Sequence, residues 1–233
     1  MTESQNIPWK RISVEAAAIV ASILLAFAIE ALWEARQANK QRLDHVTALD
    51  RDFRQMAERA QASLDTADRA VVAGKNLFSP FAQGVEPSAD VARESIMPLG
   101  MYEVFSPSIG AYDAIVSSGD IELLKSDELK RELVTFFGSF EDMRVSERML
   151  LDTQARFLES DDFSRYFGMH RLGPLDLPSV GEFQLNGSAD SDRFLNSLVI
   201  LTMRQMGVSD DYRYLIERID KIRAAIAEES ELE

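Results

Sequence analysis

The apolar stretch 12–33, ISVEAAAIVASILLAFAIEALW, decides how the rest of this chain is interpreted. At about 1.5 Å per residue, a helix of this length extends about 33 Å, which matches a hydrocarbon core of about 30 Å. Its two acids, Glu15 and Glu30, lie near the ends, where a carboxylate can reach the lipid headgroups. We therefore predict a transmembrane helix over residues 10–33, preceded by a polar tail over residues 1–9.

The two ends of this stretch carry side chains that are typical of a membrane interface. Tryptophans and charged residues gather where lipid headgroups begin, and the predicted interface residues are Trp9, Lys10, Arg11, Glu15, Glu30 and Trp33. Between them, small residues recur at every fourth position, at Ala18, Ser22 and Ala26. This spacing lets two transmembrane backbones approach closely and predicts a partner helix, although a helix so rich in alanine also produces it by chance.

Three other interpretations of the stretch stay open. A secretory signal peptide would use Lys10 and Arg11 as its basic region and Ala26-Phe27-Ala28 as its cleavage site. A buried helix of a soluble protein and a helix lying in the membrane interface are the other two. The interfacial helix is disfavoured because the apolar residues surround the axis instead of forming one face.

Composition excludes some classes of partner and leaves others open. The formal net charge is −14, which argues against binding nucleic acid or anionic lipid through a basic surface. The chain contains no cysteine, so it has no disulfide and no thiolate chemistry. Basic residues flank the stretch on both sides and do not choose an orientation. We expect the short tail in the cytoplasm and the rest of the chain in the periplasm of a bacterium, anchored in the inner membrane.

Beyond the stretch, apolar residues recur at steps of three and four, which indicates helices. The first helix is predicted to continue from the span to Gly74, about 60 residues in all. Its polar side, which includes Arg42, His45 and Asp52, is expected to face solvent. The sequence as a whole predicts an all-α fold, in which the transmembrane helix continues into an antiparallel helical bundle over residues 34–227.

Glycines and prolines predict two irregular stretches, at residues 74–106 and 168–188, and the first is expected to contain one helical turn near residues 89–96. Between them, Ser106 with Pro107 is expected to open a short helix, Gly119 to end it, and Ser126 or Asp127 to cap the long helix that follows. After the final helix, residues 228–233 are expected to form a solvated, frayed acidic tail.

The last helix, expected over residues 190–227, has the most regular repeat in the chain. A period of about 3.5 residues is typical of a bundle or coiled-coil seam, and the predicted seam residues are Phe194, Leu198, Leu201, Val208, Tyr212, Leu215, Ile219 and Ile222. Gln205 is the polar break in this seam. A buried amide that sets the register and a partly exposed bundle end explain it equally well.

No catalytic, cofactor-binding or metal-binding pattern is visible. The two histidines, His45 and His170, have no metal-ligand spacing around them, and we interpret them as surface or packing residues. Ser117 and Ser118 lack a neighbouring histidine and an oxyanion signature in the sequence. The sequence therefore predicts no catalytic residue, no cofactor and no metal.

Two segments carry a resemblance to a known family. In the first, Glu15, an apolar run and Glu30 lead into Trp33-Glu34-Ala35-Arg36. The second reads AYDAIVSSGDIELL over residues 111–124, followed by Asp-Glu-Leu at 127–129 and Phe-Phe at 136–137. Together they resemble an uncharacterised family of bacterial single-span membrane proteins. The resemblance implies an origin in the bacterial envelope and brings no activity, because that family is a domain of unknown function.

Three functions follow from these patterns. We expect a non-enzymatic, membrane-anchored helical module that associates with itself or serves as an accessory subunit of a larger inner-membrane complex. The alternative is an extracytoplasmic domain that senses a ligand held between its helices. An enzyme is the least favoured, because acidic pairs such as Glu141-Asp142 and Asp161-Asp162 point in different directions on a helix.

Overall fold

The computed structural model describes residues 9–166 and 189–232, which form helices and their connecting segments with no strand among them. Six α-helices and one 3₁₀ turn (120–123) make up this part of the chain. The helices are α1 (Trp9–Ala82), α2 (Ala89–Gly100), α3 (Gly110–Ser118), α4 (Asp127–Leu158), α5 (Asp161–Tyr166) and α6 (Ala189–Glu231). The all-helical class expected from the sequence is therefore confirmed.

Helix α1 is longer than the sequence predicts. It has 74 residues and continues past Gly74 and through Pro80 before it ends. Gly74 does not interrupt the helix because it serves a contact: a β-carbon there would lie 2.9 Å from Cγ2 of Thr202 on α6 and closer still to its Oγ1. The chain turns only after Ala82, where Gly84 adopts a left-handed φ of 72°.

The first predicted irregular stretch, residues 74–106, is wrong in most of its length. It contains the end of α1 and all of the 12-residue helix α2, which begins at the position of the expected helical turn and is longer than that turn. The N-cap Ser88 accepts a hydrogen bond from the amide of Val91. The second stretch, residues 168–188, lies with His170 outside the described residues. The two-loop prediction counted prolines and glycines as helix breakers, but Pro98 lies within α2.

The short helix α3 begins later than expected. Ser106 and Pro107 do not open it, since the helix starts at Gly110 and its N-cap position is Ile109. The amide of Ala111 instead donates to the carboxylate of Asp52 on α1, at 3.1 Å. A side chain from another helix thus satisfies a donor that a local cap would otherwise have served.

The connection from α3 to α4 follows the sequence closely. Gly119 ends α3 with a φ of 79°, and its amide donates to the carbonyl of Val116. Ser126 is the N-cap of α4, since its side chain accepts a hydrogen bond from the amide of Leu129 at 3.1 Å. Both predicted helix ends are confirmed.

Contacts between the long helices show which residues lie side by side. Arg42, early in the domain part of α1, bonds to Glu229 near the end of α6, whereas Gly74 lies against Thr202 in the first third of α6. Phe53 of α1 packs edge-on against Phe136 of α4, with ring centroids 5.2 Å apart. The buried core runs between these three helices.

Candidate functional site

The apolar part of α1 stands apart from the rest of the described protein. Every side chain from Ala17 to Gln37 is exposed, including Leu24, Phe27 and Trp33, which are each more than 60% accessible. By its length and composition, this part of α1 is the one helix in the described residues that could cross a membrane. No other part of residues 9–166 and 189–232 covers it.

The predicted residues of this segment take the following positions. Ala18, Ser22 and Ala26 are all exposed on α1, and the hydroxyl of Ser22 donates to the carbonyl of Ala18 at 2.8 Å. Ser22 therefore already satisfies its own donor. Glu15, Glu30 and Trp33 are exposed as well, whereas the side chains of Trp9, Lys10 and Arg11 lie outside the described residues.

Burial begins at Arg42, which lies about 14 Å beyond Trp33 along the helix at roughly 1.5 Å per residue. The sequence placed Arg42 on a solvated face, but the residue is only 2% exposed. Its guanidinium donates to the carboxylate of Glu229 at 2.7 Å, to the carbonyl of Glu229 at 2.8 Å and to the carbonyl of Leu232 at 2.7 Å. Two further N–H groups reach the side-chain oxygen of Asn39.

Glu229 completes this arrangement from the other side. It is fully buried, and besides Arg42 its carboxylate accepts hydrogen bonds from the amides of Lys125 at 3.0 Å and Ser126 at 2.6 Å. One carboxylate thus joins three parts of the chain: α1, the connector before α4, and the end of α6. We call the residues Arg42, Glu229, Lys125 and Ser126 the junction cluster.

The junction cluster corrects the prediction for the acidic tail. Helix α6 continues to Glu231 instead of ending at residue 227, and Glu229 is part of the folded domain. Burial alone would raise the pKa of Glu229, but hydrogen bonds from the Lys125 amide and the Arg42 guanidinium outweigh it, so the pKa lies below its ordinary value. Glu229 is therefore held as a carboxylate.

A second polar group lies beside the junction cluster. The carboxylate of Asp120 accepts hydrogen bonds from Gln41 at 2.7 Å, from His45 at 2.9 Å and from the hydroxyl of Ser118 at 2.7 Å. Hydrogen bonds from Ser118, and then from His45, hold the pKa of Asp120 below its ordinary value. His45, which the sequence treated as a lone exposed residue, is partly buried and joins α1 to the turn after Gly119.

This group resembles a hydrolytic triad in composition but not in order. The carboxylate of Asp120 lies between Ser118 and His45 and bonds to both. A histidine acts as a base only when it accepts the hydroxyl proton directly. Here the single hydroxyl proton of Ser118 faces Asp120 and backbone carbonyls of its own helix instead of His45, so these contacts join segments of the chain.

The predicted seam of α6 is buried along its whole length. All eight seam positions, from Phe194 to Ile222, are at most 1% exposed. Gln205 is also buried, and its side-chain oxygen has no hydrogen-bond partner. Of the two explanations for this polar break, the structure thus favours burial over exposure at a bundle end, but none of the described residues supplies a partner amide.

Another buried carboxylate lies at the centre of the domain. Glu147 of α4 accepts hydrogen bonds from the hydroxyl of Tyr212 at 2.5 Å and from the amide of Phe105 at 3.1 Å. Burial raises the pKa of Tyr212, and its hydrogen bond to Glu147 raises it further. The pair fixes the coil between α2 and α3 onto α4 and α6, because Phe105 is itself buried against Phe140.

Sequence reasoning missed Arg42, Glu229 and Glu147 because charged residues in helical patterns usually mark solvated faces. One signal was present: Arg42 and Glu229 occupy positions that continue the apolar stripes of α1 and α6, four residues before Val46 and three after Ile226. A charge on a buried stripe predicts a paired residue. The sequence does not say which residue is its partner.

The described residues contain no group of three or more histidine, aspartate or glutamate side chains placed to hold a metal ion. No protein-family model matches the chain, and no curated protein and no solved structure is significantly similar to it. The resemblance to a bacterial single-span family therefore stays a prediction that depends on the two segments quoted for it.

Proposed function

We propose that this protein is a non-enzymatic helical module anchored in a bacterial inner membrane, where residues 10–33 span the bilayer and residues 34–227, extended to Glu231, form an antiparallel bundle in the periplasm. The module associates with itself or with a larger membrane complex. The proposal assigns no catalytic residue, cofactor or metal, and no nucleic-acid partner.

One observation carries this proposal. The exposed apolar segment and the first helix of the folded domain are one uninterrupted helix, α1. An apolar helix of this length that is exposed on all sides is stable in lipid and unfavourable in water. Because no flexible linker separates the two parts, the bilayer would hold the domain at a fixed height and orientation.

The junction cluster supports the same proposal. A helix that leaves a membrane can bend or fray where it enters a domain, unless contacts fix it there. Arg42 donates five hydrogen bonds at this point, to Asn39, Glu229 and Leu232. Together with the contacts of Asp120, they hold α1 against the connector and α6, so that a partner of the span and a partner of the domain would be coupled mechanically.

Membrane insertion is tested by alkaline carbonate extraction of membranes that contain the full chain. We expect the protein to stay in the pellet. Leu24→Lys places a charge at the centre of the span, where it costs about 3 kcal/mol, and should move protein to the supernatant. Leu151→Lys, at a 39% exposed position of α4, is the matched control. Release of the unchanged protein would refute the anchor.

Orientation is tested with single cysteines, since the chain has none of its own. Val134→Cys places a cysteine at a position of α4 that is 61% exposed, and Ser4→Cys places one in the predicted tail. On intact spheroplasts, a membrane-impermeant maleimide should label the cysteine at position 134 and not the one at position 4. The opposite pattern would place the domain in the cytoplasm.

Self-association is tested by oxidative crosslinking in membranes. A cysteine at Ser22 lies on the small-residue face, whereas one at Val20 points about 160° away from it, at about 100° per residue. We expect disulfide-linked dimers from Ser22→Cys and few from Val20→Cys. If neither variant crosslinks and native purification brings no second subunit, the interaction role is wrong even where the anchor is correct.

A further inference from the structure

An open groove lies between α1 and α2, in the part of the domain far from the apolar segment. Its volume is about 400 Å³, which is within the range of small-molecule sites, roughly 300–1,000 Å³. Val72 and Ala73 of α1 and Val91 and Pro98 of α2 form its apolar sides. Val72 is 54% exposed, so the groove presents apolar surface to water that nothing in the described residues covers.

Charged side chains of both signs also line this groove: Asp68, Arg69 and Glu94. Asp68 is already engaged, since it accepts hydrogen bonds from Ser209 at 2.5 Å and from Arg213 at 2.6 Å. Arg69 donates one N–H group to the hydroxyl of Thr66 at 2.9 Å and has further donors.

Arg69 and Glu94 are both exposed to solvent, and neither forms an ion pair with another described residue. Two opposite charges that line the same groove without forming an ion pair are complementary to a ligand that carries both a positive and a negative charge. The exposed apolar wall of the groove favours an apolar body over a purely polar ion. A ligand with a single charge would engage only one of the two groups.

We propose that this groove binds a small zwitterion with an apolar body, such as an apolar amino acid. The ammonium group of the ligand pairs with Glu94, its carboxylate pairs with Arg69, and its apolar part lies against Val72 and Val91. This inference goes beyond the anchoring role and does not depend on it, because all of the groove residues belong to the folded domain.

The proposal is tested with three related probes on the full chain in lipid nanodiscs, with valine methyl groups labelled for NMR. L-Phenylalanine carries both charges, phenethylamine only the positive one and 3-phenylpropanoate only the negative one. We expect all three to shift the methyl signals of Val91, with phenylalanine binding about ten-fold more tightly than either single-charge probe. The methyl groups of Val134 and Val145, exposed on α4, should not move.

Two charge variants assign the recognising groups. Glu94→Gln should weaken phenylalanine binding about ten-fold and leave 3-phenylpropanoate unchanged, because that probe has no ammonium group. Arg69→Gln should weaken phenylalanine binding by a similar factor and leave phenethylamine unchanged. If both variants weaken all three probes equally, the charges do not recognise the ligand and the proposal is overturned.

A third variant tests the position of the site. Val72→Phe fills the groove from an exposed position, and Val134→Phe adds the same ring at a 61% exposed position of α4. We expect Val72→Phe to abolish the response of Val91, and Val134→Phe to leave it intact, while both variants keep the thermal midpoint of the unchanged protein. Equal responses in the two variants, or no response of Val91 to any probe, would overturn the proposal.

Discussion

Two contacts between α1 and α6 hold this domain together in different ways. Near the apolar segment, Arg42 and Glu229 meet through charge and directed hydrogen bonds. Further along, the side chain of Thr202 packs directly against the backbone of Gly74, which has no side chain. The first contact fixes the angle and register of the helices, because hydrogen bonds have preferred directions. The second fixes their separation, because only glycine leaves room for the neighbouring threonine.

The largest expected effect comes from breaking the polar contact at one partner. Arg42→Met leaves the Glu229 carboxylate buried without its cation, and we expect a loss of about 3–5 kcal/mol in the free energy of unfolding. Urea denaturation followed by circular dichroism measures it. Arg54→Met removes an exposed pair with Asp50 and should leave the free energy of unfolding nearly unchanged, because exposed ion pairs contribute little.

The double variant Arg42→Met with Glu229→Leu sharpens this prediction. Replacing both partners of a buried pair by apolar side chains is often neutral, so most of the lost stability should return. If the double variant is no more stable than Arg42→Met alone, the junction cluster depends on the amides of Lys125 and Ser126 more than on the ion pair.

Adding a single methyl group at residue 74 breaks the steric contact between α1 and α6. Gly74→Ala forces α1 and α6 apart and should cost about 1–3 kcal/mol, reduced by the better helix propensity of alanine, about 1 kcal/mol. Adding Thr202→Ala removes Oγ1 and Cγ2, the closest atoms, and should restore most of the stability, with the β-carbon of residue 202 remaining in a tight contact at 3.1 Å. Gly207→Ala is the control: nothing lies within 4 Å of its β-carbon position, so that variant should gain up to about 1 kcal/mol.

The pH dependence of stability distinguishes the polar contact of Arg42 and Glu229 from the steric contact of Gly74 and Thr202 without a mutation. The pKa of Glu229 is lower in the folded protein than its ordinary value of 4.5, so its contribution is complete above about pH 4.5. This contribution is lost as the pH falls through the lower, folded value. Stability measured from pH 7 to pH 2 should therefore fall less steeply for Glu229→Gln than for the unchanged protein.

Two further variants show whether the steepness of the acid effect depends on carboxylates. The pKa of Asp162 is also lowered, chiefly by its hydrogen bonds with Arg193, so Asp162→Asn, far from the junction cluster, should also make the fall in stability less steep. Gly74→Ala, which changes no charge, should keep the steepness of the unchanged protein. The same steepness in Glu229→Gln would contradict the role of that carboxylate.

The smallest effect is expected at a polar residue beside the steric contact. Gln205 lies three positions after Thr202 and is 2% exposed, with its side-chain oxygen unpaired. Gln205→Met keeps a similar volume and removes the unpaired acceptor, so it should add about 1 kcal/mol to the free energy of unfolding. A thermal melt measures it. A loss of stability would mean that the amide has a structural role in the seam.

The sequence predicted those parts of the fold that depend on neighbouring residues. Gly119 ends a helix because a left-handed residue is needed there, and Ser126 caps the next helix because it bonds an amide three residues on. The eight seam positions of α6 lie in the core because their period brings them onto one face. Each of these features is encoded within one or two turns of helix.

The wrong predictions concern residues whose contacts lie far away in the chain. Gly74 was interpreted as a helix break, although its role is to admit Thr202 from α6. Asp52 was placed on a solvated face, although it is 7% exposed and accepts a hydrogen bond from the amide of Ala111. Glu229 was assigned to a frayed tail, although its partner Arg42 lies 187 residues earlier. Local patterns carry no information about partners so distant in the chain.

The sequence by itself determined the apolar segment, the helical class and the buried stripe of α6, because each follows from the hydrophobicity and spacing of adjacent residues. Only the tertiary structure decided which charges are buried, where α1 and α6 touch most closely, and that Arg69 and Glu94 face one groove. The physical reason is that the environment of such a residue depends on the group packed against it. That group decides whether a charge is solvated or paired, and whether a glycine lies at a point of close approach between helices.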